Sequence, residues 1–340
     1  MNSGKIAVYL DGVKATLSSG EIIDIKVKKL FRSQRSPGLR FSKFSFVSEV
    51  RAGDDLGYGY GESESQLVAN QKCIVEGVER AVYKMMKARD PKILTSNGWA
   101  AHVDPVRVQK SAVEELYERD AILAHWLCEK SFLSVDLESA PEWLRDWGHN
   151  ELALHPRFKR LCVFATTEGV VPAVMTLLLS SDGHGLMSQA SAATLGEAVY
   201  KALAETCRIG EVEMAGEFKE SSRNLARDIA ASSFTPIDHA MVYAYHIPVP
   251  EWIFGPVVSY SELNKTWRNQ YNEFSRRTRN AEFHQVISGP ISVGYCSSNE
   301  VQKLFFGRTA DADRIGLLNR RRLWNVRQTN RLCSLPHCVP

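Results

Sequence analysis

Apolar residues recur at helical spacing in several long segments of the chain. Between Leu67 and Met85, for example, the spacings are those of one side of a helix. The apolar positions are Leu67, Ile74, Val75, Val78, Val82 and Met85. Such a side is normally buried against a sheet or another helix. This periodicity predicts helices over residues 64–88, 111–129, 195–209 and about 262–280.

Shorter stretches alternate between apolar and polar residues or are apolar throughout, as strands are. Two of them flank Gly20 and predict an N-terminal hairpin. Strands and helices come in mixed order with hairpins, which predicts an α+β fold in a single domain over residues 1–340. Within it we expect a hairpin extension (1–40), a proline-ended tail (330–340) and an internal pseudo-repeat. The predicted strands span residues 5–10, 21–28, 44–50, 160–166, 170–180, 241–249 and 291–297.

Two predicted helices begin with a capping-box pattern, in which a Ser or Thr precedes a Glu by three positions. Ser111 and Glu114 predict the start of the second helix, and Thr194 and Glu197 predict the start of the third. The glycine-rich run Gly57–Gly61 ahead of the first helix is interpreted as a tight turn. It is not a Walker loop, because no Gly-Lys-Ser/Thr follows it.

Composition is that of an ordinary globular protein and narrows the function classes. A net charge of +3 over 340 residues is too small to indicate nucleic-acid binding, and no stretch is long and apolar enough for a membrane span. The seven cysteines lack zinc-ligand spacing and several fall on apolar helix faces, so we expect reduced thiols and a cytoplasmic protein. The nine histidines are scattered, and we expect His125 to be a packed core residue rather than a ligand.

Three of the predicted helices share a polar stripe, in which a Glu follows a polar anchor by four residues and a charged residue comes three positions later. Positions i, i+4 and i+7 lie on one face of a helix. One such stripe is typical of an exposed helix with a Glu76–Arg80 ion pair, but its repetition favours a shared polar site. Carboxylates from separate helices can hold Mg²⁺ together with nucleotide phosphates. The stripes are Lys72/Glu76/Glu79-Arg80, Ser111/Glu115/Glu118-Arg119 and Lys201/Glu205/Arg208.

These segments resemble the motifs of the YcaO superfamily, in particular its azoline-forming peptide cyclodehydratases of the thiazole/oxazole-modified microcin type. The resemblance covers about residues 45–340, and its middle motif is the most specific. The stretches that carry it are Gly57–Gly61 with Glu76–Arg80, Ser96–Ala101 with Ser111–Trp126, Val170–Val174 with Glu197–Glu205, and the tail Leu335–Pro340.

The resemblance implies a mixed α/β ATP-binding fold with the motif helices around one site, and ATP with Mg²⁺ as cofactors. It implies that Arg119 and Lys201 contact phosphate, and that Arg119 and the terminal Pro340 are catalytic. The implied magnesium ligands are Glu76, Glu79, Glu115, Glu118 and Glu205. The implied cofactor-binding residues are Glu76, Glu79, Ser111, Glu115, Glu118, Arg119, Lys201, Glu205 and Arg208.

The implied reaction is ATP-dependent activation of backbone amides in a ribosomally made precursor peptide. A Cys, Ser or Thr side chain attacks the amide, whose oxygen leaves as phosphate, and a thiazoline or oxazoline results. Because we find no separate peptide-recognition domain before residue 40, we expect a leader-peptide-binding partner protein of the E1-like or ThiF-like kind. A flavin dehydrogenase in the same complex and a homodimer are further candidates, whereas nucleic acid and membranes are not expected.

Four positions depart from the motif pattern that the resemblance leads one to expect. The motif pattern usually has Ser where this chain has Lys72, and Arg where it has Lys201. It usually has Gln in place of Arg208 and Pro in place of Cys338. Lys72 and Arg208 add positive charge beside the expected phosphates, so two alternatives stay open. One is a YcaO enzyme that uses another nucleophile and forms a thioamide or amidine. The other is a catalytically silent, YcaO-like scaffold subunit of a peptide-modification complex.

Overall fold

The computed structural model describes residues 12–32, 39–90, 93, 95–214, 242–278, 281–302, 304 and 333. The chain groups into two compact units by its contacts. The single domain predicted over residues 1–340 stays a prediction, and the tail 330–340 lies outside the described residues except for Cys333. Unit 1 comprises Met1–Arg35, Ser42–Leu116 and Asn280–Asn299, and unit 2 comprises Ser36–Phe41, Tyr117–Arg279 and Glu300–Pro340.

Unit 1 contains a seven-stranded sheet in which every neighbouring pair is antiparallel. A hairpin turns at Gly20 as predicted, with Gly20 at a φ of +86°, but its first strand is Val13–Leu17 rather than the predicted 5–10. The predicted strand 5–10 lies outside the described residues. The sheet order is β4 (Asp55–Ser63), β3 (Phe44–Ala52), β2 (Ile22–Arg32), β1 (Val13–Leu17), β11 (Glu282–Ser288), β12 (Ser292–Ser297) and β5 (Trp99–His102).

Helix α1 (Gln66–Arg89) lies against strand β4, and the glycines of the Gly57–Gly61 run face it. A Cβ on Gly59 would lie 1.9 Å from the carbonyl oxygen of Cys73. The tight turn predicted for this run is therefore wrong. The run is the middle of a strand, and its glycines are required because the helix backbone approaches too closely for any side chain. This close approach fixes where the polar stripe of α1 lies.

Helix α2 (Pro105–Leu127) begins earlier than the sequence predicts. The carboxylate of Asp104 accepts a hydrogen bond from the Val106 N–H at 3.0 Å, and Pro105 occupies a position where a missing N–H costs nothing. The capping box predicted at Ser111 is therefore wrong, because Ser111 lies inside the helix. By contrast, Thr194 Oγ1 accepts the Glu197 N–H at 3.2 Å, as predicted for the third helix.

Unit 2 contains a five-stranded mixed sheet, in which β10 (Phe254–Ser259) and β6 (Phe132–Asp136) are parallel and the other pairs are antiparallel. The strand predicted over residues 241–249 is wrong, because residues 242–245 are helical. A short, continuous apolar run does not distinguish a buried strand from a buried helical turn. The sheet order is β10 (Phe254–Ser259), β6 (Phe132–Asp136), β7 (Phe158–Ala165), β8 (Val174–Ser180) and β9 (Gly185–Ala190).

Separate apolar clusters cover the two faces of this second sheet. One cluster joins Leu178 and Leu186 to Ala202 of helix α4 (Leu195–Met214), and the other joins Met175 to Trp126 of α2. Strands β8 and β9 are therefore buried on both faces, which explains their almost continuous apolar sequence. The predicted mixture of helices and sheets is confirmed, whereas the internal pseudo-repeat stays a prediction. Further α-helices among the residues that the structure describes in this unit are α3 (Glu142–Asp146) and α5 (Tyr260–Arg277).

Candidate functional site

Two of the predicted carboxylates, those of Glu76 and Glu79, line a cleft of about 560 Å³ in unit 1. They lie one turn apart on α1, and Lys72 lines the same cleft one turn before Glu76. The volume is that of a small-molecule site, and the cleft combines acidic, basic and apolar groups. The other lining residues are Tyr60, Val68, Gln71, Ile74, Val75, Ala101, His102, Val103, Arg107 and Ile291.

Polar side chains of α1 also bind backbone groups along strand β4, which lies at the edge of its sheet. Unpaired backbone groups at such an edge are a hazard unless side chains or water bind them. The hydrogen bond from Lys72 to the strand gives this lysine a structural role at a position where a serine is usual. The hydrogen bond from the strand to Glu76 fixes the orientation of the Glu76 carboxylate. Glu76 Oε2 accepts the Tyr60 N–H at 2.9 Å. Lys72 Nζ donates to the Glu62 carbonyl oxygen at 3.3 Å, and Lys84 Nζ donates to the Leu56 carbonyl oxygen at 2.8 Å.

His102 and Arg107 line the same cleft, and sequence reasoning missed both. His102 Nδ1 accepts the Asp104 N–H at 2.8 Å, so in the neutral ring the hydrogen lies on Nε2. Burial and the nearby Arg107 lower the pKa of His102, which favours that neutral form. The incorrect start of α2 at Ser111 hid these residues. The Asp-Pro pair ahead of an apolar helix was the signal that could have located them.

Ser111 and Glu115 lie in the part of α2 that belongs to unit 1. Ser111 is exposed and Glu115 is half-buried. Neither is among the residues that line the cleft of Glu76 and Glu79. Their predicted participation in one shared site therefore stays a prediction.

In unit 2, residues of the motif segments Ser111–Trp126 and Glu197–Glu205 meet at Ser191, directly after strand β9. The Glu118 carboxylate accepts the Ser191 N–H at 2.7 Å, and the Lys201 ammonium group lies 3.5 Å from the Ser191 carbonyl oxygen. The Ser191 hydroxyl donates to the carbonyl oxygen of Pro172 at 2.9 Å, so Ser191 also contacts the motif segment Val170–Val174. Sequence reasoning missed Ser191, because it bridges the two motif residues through its backbone.

The remaining predicted residues of unit 2 lie on α2 and α4. Arg119 is buried, with 9% of its surface exposed. On α4, Lys201 lies 3.6 Å from the carboxylate of Glu197, and Arg208 contacts the carboxylate of Glu205. Pro340 lies outside the described residues.

Within the described part of the chain, no three or more His, Cys, Asp or Glu side chains are arranged to hold a metal ion by themselves. Mg²⁺ is commonly bound through one or two carboxylates together with water and substrate phosphates. Glu76 and Glu79 supply hard oxygen donors one turn apart in a cleft. These residues therefore fit Mg²⁺ that arrives with a nucleotide rather than a metal held by protein ligands alone.

His125 joins α2 to Thr167, which precedes the motif segment Val170–Val174. Its Nδ1 donates to the Ala121 carbonyl oxygen at 2.8 Å, and its Nε2 accepts the Thr167 N–H at 3.1 Å. Both ring nitrogens are used by a neutral imidazole, and burial lowers the pKa of His125 to about 4. His125 is fully buried, so the prediction that it is a core residue is confirmed.

A family model described as YcaO cyclodehydratase, ATP- and Mg²⁺-binding, matches residues 69–288, which is more than half of the chain. The chain therefore belongs to the YcaO family. This confirms the resemblance seen in the motifs and the expected cofactors, ATP and Mg²⁺. It also supports an ATP-dependent enzyme of the cyclodehydratase type.

Solved structures of similar fold include YcaO from Methanopyrus kandleri bound with AMPPCP and Mg²⁺, at 12% identity and a TM-score of 0.53, over 81% of this chain and 86% of that one. A heterocyclase in complex with substrate and cofactor aligns at 13% identity and a TM-score of 0.55. The alignment covers 84% of this chain but only 51% of the other. The E. coli microcin synthetase McbBCD complex with pro-MccB17 bound aligns at 12% sequence identity and a TM-score of 0.51. The alignment covers 92% of this chain and 96% of that one. At these identities the similarity shows the fold alone.

No curated protein sequence matches this chain. Among the described helices, none is long and apolar enough to cross a membrane.

Proposed function

We propose that this chain is an ATP-dependent YcaO enzyme that activates backbone amides in a ribosomally made precursor peptide and cyclodehydrates Cys, Ser or Thr to azolines. The family match supports the ATP-dependent chemistry. The observation that carries the proposal is the junction at Ser191, where Glu118 and Lys201 of two separate motifs contact the same backbone. Such a junction holds one anionic and one cationic side chain in place for a charged ligand.

In the proposed reaction, the thiol or hydroxyl of the substrate residue attacks the preceding amide carbon, and the amide oxygen leaves as phosphate. ATP bound with Mg²⁺ supplies the phosphoryl group that makes this oxygen a leaving group. Arg119 and Lys201 orient the phosphates, and the tail ending at Pro340 orders the reacting amide. The proposed magnesium ligands are Glu76, Glu79, Glu115, Glu118 and Glu205. Ser111 and Arg208 complete the proposed cofactor-binding set.

The proposed partners are the precursor peptide and a protein that binds its leader segment. The E. coli complex of similar fold was solved with pro-MccB17 bound, and the heterocyclase with its substrate, which supports a peptide as the substrate class. A flavin dehydrogenase in the same complex would oxidise azolines to azoles. A homodimer remains a further proposal.

Reconstitution with a Cys- and Ser-rich precursor peptide, its leader-binding partner, ATP and Mg²⁺ tests the proposal. We expect ADP release and the loss of one water mass for each ring formed. Exchange of oxygen for sulfur would instead indicate a thioamide, and a link to an amine in the fragment spectrum would indicate an amidine. The family model, which is described as a cyclodehydratase, is the reason to prefer ring formation.

A catalytically silent scaffold subunit is the second candidate. The contact between Arg208 and Glu205 favours it, because a proposed metal ligand is already bound to a cation of the chain. A scaffold would leave the peptide unmodified without a second YcaO protein, and it would release no ADP by itself.

A further inference from the structure

Glu205 is bound to a cation that the chain itself supplies. Arg208 lies one turn later on α4, and its guanidinium contacts the Glu205 carboxylate directly. The side chain of Glu205 is 31% exposed and that of Arg208 is 23% exposed, so water screens the pair incompletely. Because a guanidinium keeps its proton at any pH at which proteins are folded, Arg208 stays a cation beside this carboxylate.

A metal ion at the same carboxylate would have to lie close to the guanidinium. Mg²⁺ gives up its water reluctantly and does so mainly for ligands whose full negative charge it can use. The Arg208 charge both cancels part of the charge on Glu205 and repels a second cation nearby. The resemblance leads one to expect a neutral glutamine at position 208, where neither effect would arise.

We propose that Arg208 acts as a fixed cation at Glu205 in place of a magnesium ion, so that this chain binds its nucleotide with one metal ion fewer than a variant with a neutral residue at position 208. The inference rests on the proposed function. Arg208 is then a positioning residue that sets the charge and metal content of the site. The inference withdraws Glu205 from the five proposed magnesium ligands, because its carboxylate binds Arg208 instead, and it leaves the other four unchanged.

Counting metal ions on the nucleotide-bound protein tests this directly. Mn²⁺ serves as the probe, because the free ion is quantified by electron paramagnetic resonance, and a non-hydrolysable ATP analogue is kept at saturation. We expect Arg208→Gln to bind one Mn²⁺ more per chain than the parent. Arg208→Lys, which keeps the positive charge, should bind the parental number. The double variant Arg208→Gln/Glu205→Gln should return to the parental number, because the ligand is removed.

The outcomes separate this inference from the proposed function. If the analogue binds but the parent and Arg208→Gln hold equal numbers of Mn²⁺, the inference is wrong and the family function stands. A higher count in Arg208→Lys as well would contradict the role of charge. If the analogue binds to neither protein, the proposed function fails and the inference fails with it. Arg208→Met has the same neutral charge and replaces Arg208→Gln should that variant not fold.

Discussion

Replacing Glu118 by glutamine separates two roles of this side chain. Its carboxylate accepts the Ser191 N–H at 2.7 Å, and under the proposed function it also binds Mg²⁺ with the nucleotide. Glutamine keeps an oxygen that can accept the backbone hydrogen bond, but it carries no charge. The variant should therefore retain the fold and lose ATP turnover.

The structure gives the expected magnitudes. A hydrogen bond to a charged group contributes about 1.5–3 kcal/mol and a neutral one about 1 kcal/mol, so Glu118→Gln should lower the free energy of unfolding by roughly 1 kcal/mol. Glu118→Ala removes the acceptor altogether. Ser191 is only 2% exposed, so its N–H gains little from water and the loss should reach about 2–3 kcal/mol.

Urea unfolding and ADP release, measured on both variants, check these values. Glu138→Gln is a matched control, because it removes the same charge from a side chain that is 77% exposed. The control should keep parental ADP release, whereas both Glu118 variants should release none above background. Parental turnover in Glu118→Gln would refute the assignment of Glu118 to the nucleotide. Equal stability of the two Glu118 variants would refute the reasoning about Ser191.

Three further predictions concern the fold and the tail. Gly59→Ala should lower the free energy of unfolding by about 3 kcal/mol or more, because its Cβ would lie 1.9 Å from a backbone oxygen. In the control Gly148→Ala the nearest contact of the Cβ is at 4.0 Å, so the free energy of unfolding should change by less than about 1 kcal/mol. Thermal melts of both variants measure the two effects. His125 has its pKa lowered from 6.5 to about 4, so the unfolded chain takes up the proton first as the pH falls. The stability advantage of the parent over His125→Asn should therefore shrink by about 2 kcal/mol between pH 7 and pH 5 in urea titrations, and a constant advantage would contradict this. Deletion of Leu335–Pro340 should abolish peptide modification while calorimetry still detects ATP binding, and modification at the parental rate would exclude a role for the tail.

The helices were predictable where one apolar side faces a sheet. The spacing from Leu67 to Met85 gave α1 almost its observed bounds, Gln66–Arg89, because burial of that side selects the helix. The Gly57–Gly61 run was not predictable from local preferences. Its glycines serve a close contact with α1, and nothing in the run itself distinguishes such a contact from a turn. The start of α2 failed for a local reason, because Asp104 and Ser111 offer two competing caps.

The candidate site was predictable as a set of residue types but not as a set of contacts. The resemblance identified Glu118 and Lys201, yet their meeting at Ser191 depends on how β9 and α2 pack. The pairing of Arg208 with Glu205 follows from their spacing of three on one helix and could have been predicted from sequence. The hydrogen bond between Glu76 and Tyr60 could not, since it depends on which strand forms the sheet edge.

The fate of the amide oxygen tests the central claim most directly. A precursor peptide with heavy oxygen in the amide preceding one Cys or Ser would be incubated with the protein, its leader-binding partner, ATP and Mg²⁺, and the released phosphate would be analysed by mass spectrometry. The account predicts one heavy oxygen in phosphate for each ring formed. Heavy oxygen released as water, or rings formed without ATP consumption, would contradict it.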